Sequence, residues 1–295
     1  MASIAQFPIE PAIPAASLWT LTRQRLLRNP LAVVSACVLA LVVAASLAAP
    51  WIAPYPYDAI DLKLGVSPPS SAHWLGTDTL GRDLFSRCLY GGQISIAVGL
   101  VGTLVSLLIG VLYGSIAGYR GGRADELMMR FVDLLYSLPY LFLVIILLVF
   151  FSNSIIMLFV ALGLVQWLTM ARIVRGQVLS LKNAEFIQAA RLAGTRGLAI
   201  VFRHLLPNML GPIMVYATLT VPSVILQEAF LSFLGLGVQP PRSSWGTLIS
   251  DGAGVMGLFP WLVSFPAAIL AAVLFSLNFL GDGLRDALDP RLHRQ

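Results

Sequence analysis

Glu185–Pro207, EFIQAARLAGTRGLAIVFRHLLP, is the stretch whose reading decides the fold. Phe186, Ala189, Ala190 and Ala193 recur at i, i+3, i+4 and i+7, which is one face of a helix. Gly194 follows as a helix stop, because glycine accepts the left-handed conformation that ends many helices. Leu198, Val201, Phe202 and Leu205 repeat the spacing, and Pro207 closes it. The pattern predicts two short amphipathic helices hinged at a glycine. Asn183 is the expected N-cap of the first, with Glu185 in its first turn, where the helix dipole favours a carboxylate. A connection between two membrane spans needs only a few residues, so a long patterned one has a task of its own. Two readings stand. Ala and Gly on the surface suit close docking of a partner, or the helices lie on the headgroups with Arg191, Arg196 and Arg203 toward anionic lipid.

The rest of the chain is mostly membrane. Of 295 residues, 58% are hydrophobic and only 11% charged, against about 25% charged in a soluble domain. An all-α polytopic membrane protein follows. The net charge of +5 is explained by topology and calls for no nucleic acid. Cys37 sits inside an apolar run and Cys88 outside one, so no disulfide is expected between them. His73, His204 and His293 are scattered and make no ligand set. No Gly-x-x-x-x-Gly-Lys-Ser/Thr occurs, so no P-loop nucleotide site is expected.

Residues 1–16 are Pro- and Ala-rich, with little order expected. Ser17–Asn29 reads as an amphipathic helix with Trp19 as interface anchor and Arg23, Arg25 and Arg28 toward water; residues 1–30 form the N-terminal tail. Six spans follow within a single permease-like domain, residues 31–295. They are Leu31–Ala49, Ile94–Ala117, Leu134–Phe151, Ile155–Met170, Ile213–Phe233 and Leu258–Leu280. The first is longer than the roughly 7–15 residues of a signal-peptide core, and Pro50 after Ala-Ala is a poor cleavage site, so it reads as a signal-anchor span. Pro139 and Pro222 are expected kinks. Ser152–Ser154 is a tight turn, Tyr119–Arg130 a charged turn, and 171–207 the long loop around the opening stretch. Gly102, Ser106, Gly110, Gly114 and Gly118 lie four apart, an extended small-residue stripe that predicts tight packing against another helix.

Lysines and arginines set the orientation. With the N-terminus in the cytoplasm, fifteen of the nineteen fall in inside segments and four outside. Both termini and the 171–207 loop are therefore assigned to the cytoplasm.

Few residues invite chemistry. Glu228, beside Gln227, lies deep in the fifth apolar run. Intramembrane carboxylates are costly and face a bundle interior or a wet cavity, so Glu228 and Gln227 are candidates for a translocation pathway, with a buried structural carboxylate as the alternative. Asp133 is expected to pair with Arg130 or a loop arginine. Arg82 and Asp83 are expected to form a local ion pair in a turn. No Ser/His/Asp or paired-Asp arrangement suggests an enzyme. An ion-coupled secondary transporter would show internal repeats and ion ligands on broken helices, and only one clear intramembrane charge is present.

QAARLAG, nine residues, then HLLP resembles the coupling-loop motif of ABC-importer permeases, Glu-Ala-Ala, three residues, Gly, nine residues, Ile-x-Leu-Pro. Ala189, Ala190, Gly194, Leu206 and Pro207 match, while Gln188 replaces the Glu and His204 the Ile. AARxxG followed by RHxLPN resembles the peptide and nickel permease subfamily. So do HWLGTDTLGRDLFSRCLYGGQISIAVG, ILQEAFLSFLGLGVQPPRSSWGTLISDG and NFLGDGLRDALDPR, which extend the similarity from about residue 20 to residue 292. The resemblance implies a six-helix importer-permease fold in the inner membrane and no catalysis in this chain. It implies a second, different permease subunit and two ATPase subunits that bind ATP and Mg. An extracytoplasmic solute-binding protein would deliver di- or oligopeptides, with nickel chelates or glutathione as the alternative cargo. It also implies that Glu185, Ala189, Ala190, Gly194, His204, Leu206 and Pro207 belong to the surface that couples to the ATPase.

Overall fold

A computed structural model describes residues 18–151 and 154–288. The expectations for residues 1–16 and for the end of the C-terminal tail lie outside the described residues, as do those for most of the 152–154 turn and for the Trp19 side chain. Among the described residues the regular structure is helical, apart from one isolated bridge between Thr77 and Asp83.

Helix α1 (Leu18–Arg28) leads into α2 (Pro30–Leu47). Asn29 caps α2 by accepting from the Leu31 and Ala32 amides, and Pro30 takes the first position, where its missing N–H is no loss. A single turn, α3 (Ala49–Ile52), precedes an irregular segment that ends at Asp83, whose carboxylate accepts from the Ser86 amide at 2.7 Å and starts α4 (Leu84–Arg120). At 37 residues, α4 is about 55 Å long and overshoots a hydrocarbon core of about 30 Å. It begins ten residues before the expected span, because Leu84, Ser86, Arg87 and Cys88 continue the helix while buried in protein.

The expected charged turn and third span are instead two helices, α5 (Gly122–Ser137) and α6 (Tyr140–Phe151), meeting at 89°. Pro139 drives Leu138 into an extended conformation (ψ 136°) and supplies no N–H, so the helix cannot pass. At 12 residues, α6 spans only about 18 Å. Helix α7 (Ile155–Leu181) runs eleven residues past the expected fourth span and takes up the start of the supposed loop. The short α8 (Glu185–Leu192) follows. Next, α9 (Leu198–Ile200), a π-turn (Val201–Leu205) and α10 (Leu206–Phe233) form one continuous helical path. After α11 (Trp245–Ala253), α12 (Trp261–Leu288) closes the bundle.

The five-residue stripe sets the central seam. Cβ atoms added at Gly110 and Gly118 would meet Met170 and Val178, and one at Gly114 would meet the Ala171 carbonyl oxygen. Gly102 lies against Gly163 and Val224, and Ser106 is fully buried. The pairing 102 with 163, 110 with 170 and 118 with 178 is parallel. A chain that leaves α4 at one end and enters α7 at the other must cross back in between, so the bent α5–α6 pair carries the return pass and six crossings result. Two ion pairs tie α5 to α7. Arg175 holds Asp125 through both oxygens, with Nη2 2.7 Å from Oδ2, and Arg172 holds Asp133 at 2.7 Å while stacking on the Tyr136 ring. Asp133 thus takes a loop arginine, and Arg130 pairs with Glu126 instead.

Neighbouring contacts sort the ends. Gly283 packs on Ala32, and Lys182 Nζ donates to the Gly118 carbonyl at 3.2 Å, which gathers α1, the Gly121 turn, α8 and the end of α12 at one end. Gln93 Nε2 donates to the Ser46 carbonyl at 2.8 Å, and Gly252 packs on Leu262, which gathers the 53–83 segment and α11 at the other. The segments assigned to the cytoplasm by charge therefore share one end of the bundle.

Candidate functional site

At the basic end, α8 stops at a glycine as expected. Gly194 takes φ +87°, the Thr195 amide donates to Ala190 O and the Gly194 amide to Arg191 O, both at 3.0 Å. This is a Schellman stop, which needs a residue at ease with positive φ. A second left-handed glycine, Gly197 (φ +59°), turns the chain into α9; sequence reasoning passed over it. The N-cap is Ala184, with no side-chain bond, while the Asn183 carbonyl accepts from Gln188 Nε2 at 2.9 Å. Glu185 stands exposed in the first turn.

The expected apolar face of α8 divides. Ala190 is buried together with Ile187, which was not on the expected face. Ile187 packs with Val174, Val178, Ile200, Val201 and Leu205 beneath the helix. Phe186, Ala189 and Ala193 point outward, and Leu192 is 91% exposed. Beside them Leu198 and Phe202 are also exposed, while Val201 and Leu205 are buried. An i, i+3 pair of Ile187 and Ala190 was the available signal, but Ala-rich helices offer two such faces and only tertiary contact selects one. Pro207 does not end the second helix. The π-turn shifts the ladder so that the Leu206 amide reaches the Val201 carbonyl, and Pro207 follows in the first turn of α10, where its missing N–H is tolerated. His204 lies half-buried in that turn, its carbonyl accepting from Asn208 Nδ2 at 2.7 Å; Leu206 is half-buried and Pro207 exposed. The result is an unpartnered apolar surface on a short, well-anchored helix, the kind of patch that marks a protein or membrane contact.

At the opposite end, Glu228 is fully buried. Its Oε1 accepts from Ser244 Oγ at 2.7 Å and from Ser232 Oγ at 2.9 Å, while Oε2 lies against Gly246 without a hydrogen bond. Ser244 is also the N-cap of α11 in a capping box with Thr247. Trp245, fully buried beside it, donates its amide to Ser95 Oγ and its indole N–H to the Cys88 carbonyl, each at 3.0 Å. The carboxylate thus bonds α10 to the start of α11. A Ser followed three residues later by Thr was a readable cap signal, although the link to Glu228 was not. Removing the acceptor takes the close partner of the buried Ser244 hydroxyl, at about 1–3 kcal/mol, and the tie between α10 and α11 with it, while Ser232 Oγ keeps the residue 228 carbonyl at 3.1 Å. Glu228→Ala is therefore expected to lower the melting temperature of the detergent-purified protein by several degrees, whereas Glu228→Gln, which keeps an oxygen in place, stays near wild type in melting and transport. A stable Gln variant that no longer transports would instead make Glu228 a pathway residue.

Gln227, one position away, turns about 100° around the helix and lines a cavity of about 300 Å³ at the α5–α6 elbow with Tyr136, Tyr140, Gln166 and Thr169. At the far end Arg82 pairs with Asp78 at 2.7 Å, and Arg87 shares the same carboxylate. The expected Arg82–Asp83 pair does not form, because Asp83 is occupied in capping α4 and bonding His73 Nδ1 at 2.9 Å. Cys37 and Cys88 are both free. Among the described residues no group of three His, Cys, Asp or Glu side chains could hold a metal.

Comparison with known proteins places these features. The family described as binding-protein-dependent transport system inner membrane component matches residues 110–294, and the N-terminal TM domain of oligopeptide transport permease C matches residues 17–69. The oligopeptide transport system permease protein OppC of Haemophilus influenzae is 50% identical over 93% of this chain and 89% of its own length. The Escherichia coli protein of that name is 50% identical over 93% and 92%. The dipeptide transport system permease protein DppC of Bacillus subtilis is 45% identical over 92% and 85%. A chain of the inward-facing MetNI methionine ABC transporter superposes with a TM-score of 0.55, at 19% identity, covering 67% of this chain and 94% of that one. At that identity the likeness concerns the fold alone.

Proposed function

The chain belongs to the family of inner-membrane components of binding-protein-dependent transport systems, and from that premise we propose that it is a permease subunit of an ATP-driven importer of di- and oligopeptides. It is a multi-pass membrane protein. Relatives at about half identity over nearly the full length bear peptide-permease names, which favours peptides over nickel chelates or glutathione. The observation that carries the coupling role is the outward face of α8, with Phe186, Ala189 and Leu192 exposed on a helix anchored from beneath by Ile187 and Ala190. In this reading the end that bears α8 faces the cytoplasm, as its basic residues favour, and both termini lie there.

The face seats against one of two ATPase subunits, which bind ATP and Mg; Gly194 and the His204–Pro207 turn hold α8 at its angle. A second, homologous permease completes the pathway, and a binding protein delivers solute to the 53–83 and α11 end. A secondary transporter is disfavoured. The α5–α6 helix is broken, but among the described residues no carboxylate lines the cavity at its elbow, and the nearby Asp133 is already paired with Arg172. The reading is tested by reconstituting the chain with its co-expressed partners in vesicles. ATP-dependent accumulation of a labelled tripeptide is expected; uptake of a nickel chelate without peptide would move the cargo to the alternative.

A further inference from the structure

We propose that the cleft beside α11, at the end of the bundle opposite α8, holds the terminal carboxylate of the transported peptide through the guanidinium groups of Arg82 and Arg242. The inference rests on the peptide-importer reading and adds where this chain first meets its cargo and which part of the cargo it recognises.

The cleft lies between the turn before α4, the end of α10, the connection that follows it and α11. Arg82, Arg87 and Arg242 border it, with Thr247, Ser250 and Asp251. At about 150 Å³ it is half the size of the smallest ligand pockets, roughly 300 Å³. It has room for a carboxylate and the atoms next to it, and the rest of a peptide stays outside. Glu228 is held behind the Ser232 and Ser244 hydroxyls and does not border the cleft.

Three guanidinium groups meet two carboxylates here, and neither carboxylate takes up the free donors. Asp78 is filled. Its Oδ1 accepts from the Leu80 and Arg82 amides at 2.9 and 3.0 Å, and its Oδ2 from Arg82 Nε at 2.7 Å and from Arg87 Nη1. Asp251 is 58% exposed and stands 3.8 Å from Arg87 Nη2, too far for a hydrogen bond. Arg82 is only 8% exposed, yet its two Nη groups bond to nothing among the described residues and remain open to solvent. Arg87 Nε, by contrast, is sealed off and serves no ligand. Arg242 is exposed and has no ion pair among the described residues. The planar fork of a guanidinium matches a carboxylate, and Arg82 has already lost most of its water in folding. A linear peptide brings one terminal carboxylate whatever its side chains, so such a contact serves a mixed cargo.

The test follows alkylation of Ser250→Cys by iodoacetamide, a neutral reagent, read at residue 250 by mass spectrometry. The complete transporter is held in nanodiscs without binding protein, and the rate without peptide is the baseline for each variant. Trialanine is expected to slow the reaction at a concentration at least about tenfold lower than trialanine amide, the worth of a charge-assisted hydrogen bond. Asp251→Asn, which removes the competing charge and keeps the shape, should lower the trialanine concentration needed by about threefold, and Arg242→Gln should raise it by about threefold, as expected of charges near the surface. A merely structural role for these two exposed residues predicts no such opposed shifts. Equal protection by acid and amide, no protection by either, or protection only by peptide-free binding protein, whose own acidic side chain then fills the cleft, overturns the assignment. Failure of the wild-type transporter with its binding protein to accumulate any peptide overturns the importer reading instead.

Discussion

Gly114→Leu is expected to leave almost no folded permease in the membrane, while Gly176→Leu, on the partner helix of the same seam, accumulates as wild type does. The contrast isolates packing from helix propensity. Leucine is the better helix former at both sites, by up to about 1 kcal/mol, so propensity alone predicts a gain in both. At Gly114 a Cβ would run into the Ala171 carbonyl oxygen and stand 3.0 Å from the Arg175 amide nitrogen, both backbone atoms that no rotamer change can move. At Gly176 nothing lies within 4 Å. Overpacking a well-filled interior costs about 1–3 kcal/mol even where side chains can give way, and here α4 and α7 must separate. Separation also strains the Arg175–Asp125 pair that fastens α5 to the same stretch of α7. A loss near 3 kcal/mol is about two powers of ten in the folded fraction. Quantifying detergent-extracted, monodisperse protein checks it, and wild-type yield of Gly114→Leu would mean that the helices do not meet as described.

Leu192→Glu is expected to act on assembly and leave the fold alone. Leu192 is 91% exposed, so a carboxylate there is solvated in the isolated permease and its melting temperature should not move. Against an ATPase surface the same charge must be desolvated without a partner, which costs several kcal/mol and should weaken retention of the ATPase by at least about tenfold. Ala190→Glu should behave in the opposite order. At 8% exposure Ala190 faces the interior of the loop, and its substitution should lower the melting temperature first and lose the ATPase only as a consequence. Arg196→Ala, exposed and beside the turn, should change neither strongly. If Leu192→Glu keeps its ATPase and full transport while releasing the loop from lipid, α8 is an interfacial helix and not a docking element.

These contrasts follow the boundary between what was legible in the sequence and what was not. The apolar runs announced the spans because a membrane demands them, yet their ends were misjudged wherever a helix continues through polar residues. Arg87 is tolerated within α4 because Asp78 neutralises it from a segment nine residues earlier, and Arg175 within α7 because Asp125 reaches it across the bundle. Neither partner is visible in a local window. The small-residue stripe was legible as a packing face, since five positions in one phase leave little else for them to do. Its partner, the 163–178 face of α7, was not, and that partner is what makes the two helices parallel and assigns the return pass to α5–α6. In the 185–207 stretch the Gly194 stop was readable from backbone preference alone. Pro207 misled, because a π-turn removes the register in which proline would break the helix. Glu228 was recognisable as a costly group, while its partners depend on Ser244 being folded back beneath it by α11.

The most direct measurement uses vesicles holding the complete transporter in a known orientation, with labelled tripeptide and its binding protein on one side and ATP on either. Accumulation is predicted only when ATP is on the side where α8 is exposed and the binding protein is on the side of the 53–83 and α11 segments. Accumulation with ATP on the binding-protein side, or driven by an ion gradient with no ATP at all, would contradict the account.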